Sequence, residues 1–263
     1  MSLVVRKDWK SSFTLASKLN WPCPFCFAKS LRIKTDSLME GETAPSKEAR
    51  NGGDWEPQWL QGRFSCILEC RACEGELAMC GESHPEEEEA FDEQTGPYLD
   101  WISQYSPRFF TDAPPLITVP DAVPYEVASE IQRSFGLFWN DIPACANAIR
   151  AALEALMTVQ KINKSTGRPK PGKSWVFLTL HKRIELFGQR QQDLSKKLLA
   201  VKLIGNEGSH SGILNKDDIF DAYEILGFVL DELYLNRAKK IGALAKQINK
   251  KNAPRSARRN PRR

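Results

Sequence analysis

From Tyr125 onward apolar residues recur every three or four positions, a pattern that predicts a series of helices through the second half of the chain. Val127, Ile131, Phe135 and Phe138 form the stripe of the first helix. Asn140-Asp141-Ile142-Pro143 stops it and starts the next, with Asp141 as cap and proline in the first turn, where its missing N–H costs nothing. The second helix carries Ile142, Cys145, Ala146, Ile149, Leu153 and Leu156 on one face. Leu178 to Phe187 and Gln191 to Ile204 read as the third and fourth. The last long helix begins near Asn215 or Lys216, with Asp217 and Asp218 suited to the positive end of its dipole and a stripe of Ile219, Tyr223, Leu226, Leu230 and Leu233. Five helices with mostly short connections predict an up-and-down bundle. Between the fourth and the last, Lys202-Leu203-Ile204-Gly205-Asn206-Glu207-Gly208-Ser209-His210 reads as the joining turn.

Before Pro107 the pattern is different. Arg63 to Glu69 and Glu76 to Cys80 are short apolar or alternating segments on either side of Cys70-Arg71-Ala72-Cys73, the strand-knuckle-strand arrangement of a zinc ribbon. Glu82 to Glu93, with Glu86 to Glu89 consecutive, reads as a solvated loop or linker, and Tyr98 to Ser106 as a short helix or turn. Pro107 to Pro124 holds five prolines and reads as an extended linker. The expected fold class is therefore mainly α: a helical bundle at 113–248, preceded by a small β-rich zinc-ribbon-like module at 1–112 and followed by a basic disordered tail at 249–263.

Cysteine placement adds the strongest chemistry. Cys23-Pro24-Phe25-Cys26 and Cys70-Arg71-Ala72-Cys73 are two tight turns, each able to aim two thiolates at one point, and together they complete a tetrahedral four-sulfur site with no open position. Such a site points to structural zinc. Cys66 and Cys80 are substitute ligands by residue type, but they fall within the apolar strand segments, where a free cysteine packs as a small hydrophobe. Trp9, Trp21, Trp55 and Trp59 are read as the cover of a small core in preference to a base-stacking platform.

Charge separates the two ends of the chain. The net charge is +4, yet residues 237–263 hold eleven Lys and Arg and no acid, which leaves the remainder at −7. Arg255, Arg258, Arg259, Arg262 and Arg263 lie among Ser, Asn and Pro, a composition that builds no core and suits salt-dependent contact with nucleic acid phosphates. Residues 163–174 read as an exposed basic loop. No run of about 18 apolar residues occurs, and the first ten residues carry charges where an export signal is apolar, so no membrane partner is expected and the cytoplasm is the expected compartment. Seven cysteines, an odd number, fit a reducing compartment with metal ligation better than a disulfide framework.

Three segments resemble domain-of-unknown-function family 4145, a helical family of the HEPN (higher eukaryotes and prokaryotes nucleotide-binding) superfamily. They are Val123-Pro124-Tyr125-Glu126-Val127, Ala148-Ile149-Arg150-Ala151-Ala152-Leu153-Glu154 and Ile204-Gly205-Asn206-Glu207-Gly208-Ser209-His210. The resemblance covers a little under half of the chain. It implies a HEPN-like bundle, often dimeric through its helices, in prokaryotic defence or restriction-associated settings. It also implies a polar cluster of Arg150, Glu154, Asn206 and His210. Catalytic members of the superfamily are metal-independent ribonucleases that pair an arginine with a histidine a few residues on. Here the nearest upstream cation to His210 is Lys202, with seven residues between, and lysine lacks the bidentate fork of arginine.

These readings give one favoured function and two alternatives. The favoured one is a zinc-stabilised, nucleic-acid-associated binding protein of a prokaryotic defence system, with a possible partner protein and homodimerisation through the bundle. A ribonuclease using His210, Asn206 and either Lys202 or Arg150 is the first alternative. A structural adaptor without nucleic-acid contact is the second.

Overall fold

The computed structural model describes residues 6–10, 12–52, 54–92, 94, 96–166, 174–207, 214–235 and 237–251. A helical turn, α1 (Lys7–Lys10), opens the chain. There follow β1 (Leu31–Ile33), β2 (Met39–Glu42), helix α2 (Ala44–Arg50), β3 (Gly62–Cys70), β4 (Glu76–Asp92) and β5 (Gly96–Phe110). All pairings are antiparallel, in the order β1-β3-β4-β5, and β2 shares the outer edge of β3 with β1. The break between β1 and β2 leaves no orphaned backbone group at Ile67: its N–H donates to Ser37 Oγ at 2.8 Å and its carbonyl accepts from Lys34 N–H at 2.9 Å. Along β3 the side chains at Phe64, Cys66, Leu68 and Cys70 are buried and the intervening ones face outward, the alternation that the period-two pattern predicts.

This architecture corrects the expected fold class. The chain is not mainly a helical bundle led by a small ribbon; a curled five-stranded antiparallel sheet forms the N-terminal region and a helical region follows it. Its two longest strands, β4 and β5, run 17 and 15 residues. The acidic run expected as a linker is the distal half of β4, and the segment expected as a helix or turn lies inside β5. Composition misled here because a strand is stabilised by its partner. Glu86, Glu87, Glu88 and Glu89 pair with Ile102, Trp101, Asp100 and Leu99, so β-branched and aromatic residues on β5 support a β4 sequence of poor intrinsic propensity.

The helical region comprises α3 (Tyr125–Leu137), α4 (Ile142–Val159), α5 (Leu180–Gly188), α6 (Gln192–Glu207), α7 (Lys216–Leu230), a π-helical turn at Asp231–Leu235, and α8 (Arg237–Lys251). Asp141 caps α4 by accepting the Ala144 N–H at 2.8 Å, and Pro143 occupies the first turn, as the local sequence predicts. Asn215 and Asp218 form a reciprocal capping box at the start of α7. One helix, α4, is long and apolar enough to cross a membrane by length and composition, but it sits against α3, α6 and α7 with eight of its residues buried.

A second correction concerns the turn before His210. Helix α6 continues through Glu207, so Gly205 and Asn206 are helical. Gly205 serves close packing instead of chain reversal. A Cβ there would stand 3.0 Å from Arg150 Cβ and 3.3 Å from the Ala146 carbonyl, so the absent side chain lets α6 approach α4.

An aromatic seam joins sheet and helices into one core. Trp21 lies 4.9 Å from Trp139 between ring centroids, Phe110 also 4.9 Å from Trp139, and Trp9 touches both Phe138 and Trp139. Of the four N-terminal tryptophans, Trp9 and Trp21 belong to this buried seam, Trp55 stacks under Arg50, and Trp59 is exposed. Polar ties run beside it. Lys216 donates to the Trp9 carbonyl, and Arg6 donates to Asp221 at 2.7 Å and to Glu224 at 2.9 Å on α7.

Candidate metal centre

Cys23 and Cys26 precede β1, and Cys70 ends β3 while Cys73 stands in the turn before β4. The two turns share one backbone plan. In the first, Phe27 N–H donates to the Cys23 carbonyl and Cys23 N–H to the Ala28 carbonyl; in the second, Glu74 N–H donates to Cys70 and Cys70 N–H to Gly75. Phe27 and Glu74, equivalent positions, both adopt positive φ, at 62° and 58°. That left-handed residue turns the chain back sharply enough to bring each Cys pair to one side. The register Leu31 with Cys70 and the bond from Arg71 N–H to the Ser30 carbonyl then set one turn against the other.

The resulting sulfur cluster is compact: all four Sγ atoms lie within 4.8 Å of one another. Cys23 and Cys73 are 3.8 Å apart, and Cys26 and Cys70 are 3.6 Å apart. A metal–sulfur bond of about 2.3 Å in a tetrahedron sets a sulfur–sulfur edge of about 3.8 Å, so the separations suit four thiolates around one ion. Burial opposes ionisation of the Cys70 thiol, but the Ser30 hydroxyl at 3.1 Å and the N–H groups of Ala72 and Cys73 outweigh it and bring its pKa down to about 6. Burial pushes the Cys23 thiol up.

The four expected ligands are therefore the four that converge, and no other described cysteine joins them. Cys66 packs in β3 with its thiol raised to about 11 by burial, and Cys80 lies on β4 opposite Ser65. Sequence reasoning missed two supporting residues. Ser30 reaches Cys70, and a Cβ on Gly75 would fall 2.5 Å from the Phe25 ring and 3.3 Å from Cys73 Sγ. A glycine two positions after the second Cys pair was the available signal for the latter; for Ser30 there was none.

The polar cluster proposed around the α4–α6 contact takes a different form. Arg150 is half-buried on α4 beside Gly205, with its Nε buried and unbonded among the described residues. Glu154 is held by Arg183, which sequence reasoning did not single out. The buried Arg183 guanidinium on α5 donates to the Glu154 carboxylate and its carbonyl, to Thr158 Oγ1 at 2.8 Å and to the Ile162 carbonyl at 3.2 Å. A cleft of about 290 Å³ opens beside it, lined by Thr158, Lys164 and Phe177 among others. Lys202 and Asn206 are half-buried on α6. His210 lies outside the described residues, as do Arg255, Arg258, Arg259, Arg262 and Arg263.

The basic segment begins in helix α8. Every residue from Ile241 to Lys250 is exposed, and the helix carries six Lys and Arg with no acid.

Residues 132–251 match the model of a domain of unknown function, DUF4145, and residues 11–110 match that of another, DUF8608. The chain is thus similar to one uncharacterised family through its sheet and to a second through its helices, α8 included. No curated protein and no solved structure matches it.

Proposed function

We propose that the chain is a nucleic-acid-binding scaffold, stabilised by structural zinc, that contacts phosphate through α8 and the arginines that follow it. One observation carries this reading: a cation-rich, acid-free helix whose described side chains are all in water, leading into Arg255, Arg258, Arg259, Arg262 and Arg263. Such an arm gains affinity by releasing counterions from the polymer and reads no base sequence. Zinc suits the cysteine cluster because four thiolates and no open position favour a closed tetrahedral ion, which braces the two turns against the sheet. The ion is a brace here and takes no part in chemistry.

The test is a titration of labelled single-stranded RNA and duplex DNA with the full chain and with a Lys246→Glu, Lys250→Glu variant. The variant should bind more weakly, and its dependence of log affinity on log salt should be shallower by about 2, close to one per lost phosphate contact. Identical affinity and slope in both proteins would remove the arm from the proposal.

A further inference from the structure

Strand β3 pairs with β4 only as far as Gly62 with Ser83. From His84 to Asp92, β4 pairs with β5 alone, so the distal hairpin leaves the sheet as a two-stranded ribbon. Opposed residues share a face in an antiparallel pair, and the register sorts this ribbon clearly. One face holds Glu86, Glu88 and Asp100 with Ile102 and Tyr98. The other holds Pro85, Phe91, Pro97, Leu99 and Trp101, with Glu87 opposite Trp101 and Glu89 opposite Leu99. Phe91 is 74% exposed and Leu99 60%. An apolar strip edged by carboxylates is costly to leave in water and marks an interaction surface.

Helix α8 has the complementary surface. Ile241, Leu244 and Ile248 recur at three- and four-residue spacing and form an exposed stripe, with Ile241 at 66%. The helix carries six cations and no acid, and Glu87 and Glu89 stand on the apolar face of the ribbon. Within one chain both surfaces stay exposed, so they do not cover each other there. A contact between chains covers both at once. An anionic polymer on the cations of α8 leaves both apolar strips uncovered, so it does not replace this contact.

We infer that the apolar face of the β4–β5 ribbon of one copy receives the Ile241–Leu244–Ile248 stripe of helix α8 from a second copy, in a reciprocal dimer. Each copy gives a helix and receives one, so the contact occurs twice and closes about a two-fold axis. The apolar strip supplies affinity, and the opposed charges supply register and rate of encounter. Lys246 and Lys250 lie about 140° and 180° around the helix from Ile241, at roughly 100° per residue, so they remain in water when the stripe docks. The dimer does not depend on nucleic-acid binding.

The experiment is light scattering on the metal-loaded full chain across a range of concentrations, with circular dichroism to confirm folding. The wild type should reach the mass of two 29.7 kDa chains. A ribbon variant (Phe91→Ser, Trp101→Ser) and a helix variant (Ile241→Ser, Leu244→Ser, Ile248→Ser) should each raise the dimer Kd by at least about tenfold. Mixed in equal amounts they should recover a heterodimer through the one intact contact, which neither forms alone. Should the serine ribbon variant misfold, Glu87→Lys with Glu89→Lys tests the same face through exposed positions. A wild type that is monomeric throughout, a dimer that survives both sets of substitutions, or a mixture that yields no heterodimer would each overturn the inference.

Discussion

Ser30 Oγ stands 3.1 Å from Cys70 Sγ, the one thiol of the cluster that its surroundings hold low. A hydroxyl that donates to a thiolate stabilises it as a ligand and fixes its orientation. Ser30→Ala should therefore retain one metal equivalent and weaken its affinity by about tenfold or more, the usual range for a residue bonded to a metal ligand. Competition with a chromophoric chelator measures this. Unchanged affinity would mean that Ser30 only fills space.

With zinc bound as proposed, its removal should expose thiols without melting the helices. Chelation should make four further cysteines reactive to a thiol reagent, since all four converge on one site. Cys145 should stay silent until global unfolding, because burial raises its thiol to about 12. Cys66, raised to about 11, should behave likewise. The helical circular dichroism signal should survive, because α3 to α7 pack chiefly against one another, whereas a Cys70→Ser variant should lose the metal equivalent altogether. Loss of all secondary structure on chelation would make the ion a requirement for the whole fold.

How much of this was legible in the sequence depends on how local each determinant is. Asp141 and Asn215 act within three residues of themselves, and the helices they cap stand where the pattern puts them. The four converging cysteines also announce themselves, since a Cys-x-x-Cys spacing is complete in four residues. The β4–β5 ribbon failed because Glu86 to Glu89 owe their strand to residues about ten to sixteen positions away on β5. Arg183 failed for a related reason: its neighbours His181 and Lys182 are exposed, and only the arrival of the α4 C-terminus turns the same helix inward at that position.

Arg183 should matter more to stability than any exposed charge. It binds four oxygens at the end of α4 from a buried position, while its partner Glu154 keeps contact with solvent at 38% exposure. Arg183→Ala should cost about 1.5 to 3 kcal/mol, the range for hydrogen bonds to a charged group, with lost packing in addition. Glu154→Gln should cost less, since the amide oxygen still accepts, the other three acceptors remain, and only the charge is lost. Denaturant melts of the two variants check the order, and a reversed order would contradict the geometry.

Glu82 gives a pH dependence with a definite sign. Its hydrogen bond to Arg108, helped by the nearby Arg63, holds its carboxyl below the usual value. A group depressed in the folded state adds stability that is complete above the unfolded carboxylate pKa of about 4.3 and fades as pH falls through the folded value. Because both side chains are well exposed, the amount is at most about 1 kcal/mol. Acid titration of stability should be flatter by that amount in Glu82→Gln, and identical curves would show that the pair contributes nothing.

Gly205→Ala sets two effects of similar size against each other. Replacing a helical glycine by alanine gains about 1 kcal/mol in backbone terms. At this position the new methyl would meet Arg150 Cβ at 3.0 Å and the Ala146 carbonyl at 3.3 Å. Both neighbours are fixed to the α4 backbone, so neither can yield by a side-chain rotation, and the helices must separate. Overpacking of this kind costs about 1 to 3 kcal/mol, which exceeds the gain. The variant should be less stable than the wild type by about 1 kcal/mol, although alanine is the better helix former. Gly136 on α3 supplies the control, because nothing lies within 4 Å of a Cβ built there and Gly136→Ala should stabilise. Thermal melts of the pair decide it: stabilisation of both would mean that the α4–α6 contact is looser than the geometry shows, and opposite signs would bear out the tight packing of Gly205 on α4.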